Sequence, residues 1–111
     1  MKALIKLILS KMIPTKKIGG IVGNVKIGHH TYCDPTSSIV AREDSKIIIG
    51  NYCSIARLVT IINADHNYNN ISTFPFATKY NNLGIPTKRD RICSDVIIGS
   101  DVWIGSGAVI L

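Results

Sequence analysis

Helix formers are scarce in this sequence. Its 111 residues hold one glutamate, six leucines and six alanines, against 20 isoleucines and 7 valines. Glu, Leu and Ala favour helices, whereas β-branched side chains suit a pleated backbone, so a helical bundle is excluded and a β-rich body is expected. Cysteine is also scarce. Cys33, Cys53 and Cys93 are an odd set with no Cys-x-x-Cys spacing, which argues against a disulfide framework or a zinc clip and for a reducing cytoplasm. There is one tryptophan. No aromatic and basic platform recurs along the chain, so a nucleic-acid partner is not expected despite the net charge of +6. An apolar fraction of 46 % excludes disorder and collagen, and the length bounds the chain to one domain.

Long apolar runs are absent too. The stretch of residues 1–13 is interrupted by Lys6 and Lys11, is too short to span a bilayer, and is followed by no small-residue cleavage site. Lys2, Lys6 and Ser10 recur at helical spacing as one polar face, and Pro14 ends the pattern. Residues 1–20 therefore read as a short N-terminal helix and linker, expected to cap one end of the β body. A peripheral membrane contact through residues 1–13 is the sharper alternative.

From Ile21 a period of six appears. First positions are Ile21, Ile27, Cys33 and Ile39. After a four-residue slip they are Ile49, Ile55 and Ile61, and after a long interruption Ile92, Ile98, Ile104 and Ile110. Fifth positions are small or short: Val25, Thr31, Ser37, Cys53, Val59, Val96, Val102 and Ala108, with Glu43 the exception. Such a repeat implies a solenoid in which each unit is one short strand and a turn, with first and fifth side chains pointing inward. Gly28, Gly50, Gly99 and Gly105, at second positions, are expected to supply the conformational freedom of the turns. The body thus runs over residues 21–111, with an insertion at residues 62–91 that holds six of the eight Asn and no repeat. A loop of that length inside a compact domain is the first place to look for chemistry.

The repeat, together with IGNYCSIARLVTI, ADHNYNNISTFPF and IIGSDVWIGSGAVIL, resembles the hexapeptide-repeat acyltransferases, in the branch of xenobiotic and sugar or polysaccharide O-acetyltransferases. The resemblance implies an all-β fold, a left-handed parallel β-helix with three units per coil, from which the long loop protrudes. It implies acetyl-CoA as co-substrate, no metal, and a homotrimer with active sites between subunits.

It also implies roles for residues. His66 matches the loop histidine that acts as general base; a neutral imidazole, of ordinary pKa ~6.5, suits removal of a hydroxyl proton at neutral pH. Trp103, Gly105 and Ser106 are expected at the cofactor, the last two through turn amides. Tyr32 and Tyr52 are expected at the acceptor, and Phe74, Pro75 and Phe76 against a neighbouring subunit. Asp65 precedes His66, but adjacent residues rarely face each other, so a solvated carboxylate is expected. His29 and His30 are adjacent and diverge, so with His66 they do not make a metal site. Lys79, Lys88, Arg89 and Arg91 form a basic cluster, expected to be solvated, with CoA phosphates as the alternative partner.

The leading expectation is an acetyl-CoA-dependent O-acetyltransferase acting on a sugar or polysaccharide hydroxyl. The alternative is the same chemistry on an antibiotic of the chloramphenicol or streptogramin type. Because the repeat stops at Leu111, where the family implies further coils, an inactive truncated β-helix with a structural role is the third reading.

Overall fold

A computed structural model describes residues 20–80 and 89–111; the expected N-terminal helix and Lys88 lie outside them. Apart from one short helix, the regular structure of the described chain is all strand, in pieces of two or three residues joined by turns. Their order is β1 (Ile21–Val22), β2 (Val25–Ile27), β3 (Tyr32–Cys33), β4 (Ser38–Val40), β5 (Ile47–Ile49), β6 (Ser54–Ile55), β7 (Thr60–Ile62) and β8 (Ala64–His66), then a one-turn helix α1 (Phe76–Lys79). β9 (Arg91–Cys93), β10 (Val96–Ile98), β11 (Trp103–Ile104) and β12 (Val109–Ile110) complete it. No helix among the described residues is long and apolar enough to cross a membrane.

The strands form three parallel sheets that the chain visits in rotation. The first is β1-β4-β7-β12, the second β2-β5-β10 and the third β3-β6-β11. Their registers stack equivalent repeat positions: Ile21, Ile39, Ile61 and Ile110 in the first sheet, Ile27, Ile49 and Ile98 in the second, and Cys33, Ile55 and Ile104 in the third. These inward ladders are the core. The middle turn is fully buried at Ile47, Ile49, Cys53, Ile55 and Val59, while its neighbours Val25, Ile27, Val96 and Ile98 are half-buried. Each turn is covered only by the turns beside it, as stacking along one axis requires.

The inward polar residues bind one turn to the next. Thr31 Oγ1 donates to the Gly50 carbonyl at 2.6 Å and accepts from Cys53 N at 2.9 Å. Ser37 Oγ does the same with Ala56 O at 2.7 Å and Val59 N at 3.1 Å. A hydroxyl at the fifth position is therefore satisfied by the backbone of the next turn, which removes the cost of burying it.

The structure departs from the expected repeat in several details. Left-handed backbone recurs at the fourth position, at His30, Tyr52, Leu58, Asp101 and Gly107, with φ from 57° to 75°, and occurs also at Gly20, Gly23 and Glu43. Among the second-position glycines, Gly28 and Gly50 answer a different need. A Cβ on Gly50 would lie 2.6 Å from Ser100 Oγ and 2.7 Å from the carbonyl atoms of Gly99, so close stacking of turns excludes a side chain there. Glu43 does not point inward; it is exposed, and Ile47 fills the inward place that pairs with Val25. Ile92 is no core position either. It lies on β9, opposite Asp65 of β8, in a separate antiparallel ribbon.

Both irregularities of the repeat fall on one corner. Between the first and second sheets, the first turn needs only Gly23 and Asn24. The second turn uses residues 41–46 there, and the third uses residues 63–95. Register is undisturbed on either side, so the corner absorbs every extra residue.

Candidate functional site

The long excursion is fastened at both roots to the enlarged corner beneath it. Asn63 Oδ1 accepts from Arg42 N at 2.7 Å. Asp95 Oδ1 accepts from Lys46 N at 3.0 Å, and its carboxylate lies 3.6 Å from Lys46 Nζ. Further out, Arg89 meets Glu43 at 3.3 Å. Beyond the roots, β8 and β9 pair antiparallel as Ala64↔Cys93, Asp65↔Ile92 and His66↔Arg91. The flanking bonds Ser94 N→Asn63 O and Asn67 N→Asp90 O, 3.2 and 2.9 Å, fix which rungs are hydrogen-bonded. His66 and Arg91 fall on the other kind of rung, where Cα atoms approach to about 4.5 Å and side chains share one face. Asp65 points to the opposite face, exposed, and does not orient the ring of His66.

His66 is exposed, and its Nδ1 lies 2.7 Å from the carbonyl oxygen of Thr73. A carbonyl only accepts, so Nδ1 carries the proton. The Nε2 lone pair is then free to take a proton from a hydroxyl, which is the geometry a general base needs. The residues around Thr73 hold it in place. Phe74 N bonds Ser72 Oγ at 3.1 Å, Phe74 packs on Phe76 with ring centroids 4.8 Å apart, and Tyr80 stacks on Phe74 at 6.0 Å. These rings pack on one another within the loop.

Asp90 and Asn67 hold the loop interior, each only 8 % exposed. The Asp90 carboxylate accepts from Ala77 N at 3.2 Å, Thr78 N at 2.6 Å and Thr78 Oγ1. Those bonds, the Thr78 hydroxyl foremost, keep its pKa below the ordinary 3.8. Asn67 Nδ2 donates to Arg89 O at 2.7 Å, and its Oδ1 accepts from Asn69 N at 3.0 Å. Neither residue stands out in the sequence, because their partners lie up to 22 residues away with no fixed spacing. Asp90, Arg89, Arg91, Thr78, Glu43 and Asp44 line a cleft of about 450 Å³. Its charge is mixed, and Arg89 is engaged with Glu43, so the basic cluster is not a bare cationic patch. Lys79 ends α1 and is exposed.

Trp103 is 80 % exposed on the third sheet, in register with Ser54 and, one turn further, with Tyr32, which is 56 % exposed. The two aromatics thus flank a small residue, leaving a notch over Ser54. Tyr52, 63 % exposed, stacks on His30 at 5.2 Å at the corner between the second and third sheets. Gly105 and Ser106 come directly after Trp103 and Ile104. The later amides of that turn, Gly107 and Ala108, are taken by Arg57 O and Gly105 O at 2.9 and 3.2 Å. Those of Gly105 and Ser106 reach no backbone carbonyl among the described residues. His66 leaves the body from the corner between the first and second sheets, whereas Trp103, Tyr32, Gly105 and Ser106 belong to the third sheet and its turn. Within one chain they project from different parts of the coil. His29 and His30 are exposed, and no cluster of three metal-ligating side chains occurs among the described residues.

The chain is similar to the chloramphenicol acetyltransferase of Escherichia coli, 31 % identical over 105 residues, covering 79 % of this chain and 50 % of that protein. The chloramphenicol acetyltransferase of Morganella morganii is 37 % identical over 76 residues, 63 % of this chain and 36 % of that one. A probable macrolide acetyltransferase of Lysinibacillus sphaericus is 34 % identical over 71 residues, 60 % of this chain and 39 % of the relative. The chain spans about half the length, or less, of these curated relatives. No family model matches it, and no solved structure does.

Proposed function

We propose that this chain carries the base of an acetyl-CoA-dependent O-acetyltransferase. The observation behind it is the bond from His66 Nδ1 to Thr73 O, which leaves Nε2 free on an exposed loop. In this reading Nε2 takes the proton of the acceptor hydroxyl as its oxygen adds to the thioester carbonyl. When the C–S bond breaks, His66 returns that proton to the departing thiolate. Trp103 lines the acyl arm, the turn amides of Gly105 and Ser106 donate to carbonyl oxygens of the donor, and Tyr32 and Tyr52 flank the acceptor.

The acceptor is an antibiotic hydroxyl of the chloramphenicol kind. The names of the relatives favour it over the sugar or polysaccharide suggested by the resemblance. The three parallel sheets support the hexapeptide-repeat β-helix reading, and its left hand rests on the resemblance. A homotrimer fits the separation of His66 from the third sheet, because a second copy is needed to bring a Trp103 face to a His66 loop.

The test is release of free thiol from acetyl-CoA by the 111-residue chain, with chloramphenicol and a panel of sugars as acceptors, beside His66→Ala. Transfer to chloramphenicol that His66→Ala abolishes supports the reading. Transfer to sugars alone would restore the polysaccharide acceptor. No transfer, together with no change in Trp103 fluorescence on adding acetyl-CoA, would overturn it in favour of a structural role.

A further inference from the structure

We propose that Asp90 is the positioning residue of His66: it fixes the imidazole in the Nδ1–H form by holding Thr73 at a set distance from the strand that carries the ring. The inference rests on His66 being the general base.

Asp90 is bonded to both sides of that contact. Its backbone carbonyl accepts from Asn67 N at 2.9 Å, one residue beyond His66 on the continuation of β8. Its carboxylate accepts from Ala77 N, Thr78 N and Thr78 Oγ1, at the start of α1. Between Thr73 and that helix lie only Phe74 and Pro75, stiffened by the Phe74–Phe76 packing and by the Lys79 N→Pro75 O bond of 2.9 Å. One buried residue therefore ties the segment bearing the acceptor of the His66 proton to the strand bearing the donor. Among the described residues, no other hydrogen bond ties α1 to the ribbon: the remaining bonds of residues 72–80 stay within that segment, save Thr73 O to His66 itself. The carboxylate is suited to the work because it offers several lone pairs and can hold two amides and a hydroxyl at once. An alanine there would free Thr73 and let the ring protonate Nε2, the atom the reaction needs empty.

The experiment is nitrogen NMR of the imidazoles at a pH where they are neutral, with the His66 signals identified by their loss in His66→Ala. In the wild-type chain the His66 Nδ1 should be protonated and Nε2 bare. Asp90→Ala should move the population toward Nε2–H, while the Asn67 amide, bonded to the backbone of residue 90, stays protected from exchange. Asp90→Asn, which keeps an acceptor oxygen, should retain much of the Nδ1–H form. In acetyl transfer, Asp90→Ala should lower kcat by about 10–100-fold with little change in KM. A His66 that keeps Nδ1–H in Asp90→Ala would overturn the proposal. So would loss of Asn67 protection along with the tautomer, since Asp90 would then merely hold the loop folded. Absence of acetyl transfer by the wild type would sink the transferase reading, and with it the role of Asp90 in catalysis, while the NMR result would still decide whether Asp90 sets the tautomer.

Discussion

Gly50→Ala and Gly99→Ala make the same change at the same repeat position, one turn apart, and should act in opposite directions. Neither glycine has a left-handed φ, so alanine is compatible with both backbones. A Cβ on Gly50 would meet Ser100 Oγ at 2.6 Å and the carbonyl carbon and oxygen of Gly99 at 2.7 Å. The serine can rotate away. The Gly99 peptide cannot, because Gly50 N bonds Ile98 O at 2.9 Å and the β10–β5 register depends on it. Forcing that approach should cost about 1–3 kcal/mol, as overpacking does. A Cβ on Gly99 would meet nothing within 4 Å. There the only effect is the reduced freedom of the unfolded chain, a gain of about 0.4–1 kcal/mol. Both variants share that gain, so their separation isolates the steric cost: about 1–3 kcal/mol, or on the order of 5–20 °C in Tm. Urea and thermal unfolding followed by circular dichroism measure it. Equal shifts for the two variants would refute the stacking argument and return the glycines to a conformational role.

His66→Ala should leave unfolding unchanged and lower acetyl transfer by about 10²–10⁴-fold, as measured by steady-state kinetics. Ile55→Ala, in the fully buried ladder between Cys33 and Ile104, should cost about 2–5 kcal/mol in urea unfolding. The Asp90 carboxyl titrates below 3.8 because the Thr78 hydroxyl and amides favour its charged form. Its contribution is therefore present above that ordinary value and lost as pH falls through the lower folded one. Protection of the Thr78 amide, relative to its intrinsic exchange rate, should fall as pH drops through that lower folded value in the wild type, and Asp90→Asn should remove that dependence.

The body was legible because its rule is local. Ile at every sixth place predicts inward ladders, and Ile21, Ile39, Ile61 and Ile110 stack as that rule requires. The same rule misreads Ile92. ICSDVI has the form of a repeat unit, yet its first two residues pair with β8. Side chains alternate in an antiparallel ribbon as they do in a coil, so spacing cannot separate the two. Gly28 and Gly50 answer a need the repeat does not spell out, because a close approach between turns is a property of stacking and not of one turn's sequence. In the loop the sequence singles out His66 alone, through the resemblance. Thr73, Asn67 and Asp90 act through bonds of 7, 22 and 12–13 residues' separation. No periodicity connects them, and each is an ordinary polar loop residue when read alone.

The corner explains why the excursion disturbs nothing. A strand of this body cannot lengthen without shifting its ladder, since one added residue turns every inward side chain outward. A corner has no such register, so extra length collects there. The slip in the second turn then acquires a purpose that the repeat alone does not give it. Residues 41–46 supply Arg42 N to Asn63 and Lys46 to Asp95, the two roots of the long loop, and Glu43 to Arg89 above them. The exposed pairs contribute little each, about 0–1 kcal/mol, but the backbone bonds fix where the loop starts and ends. A two-residue corner such as Gly23–Asn24 has no residue corresponding to Arg42 or Glu43. The small insertion therefore forms the seat of the large one, and the position of His66 depends on a break in the repeat one turn below it.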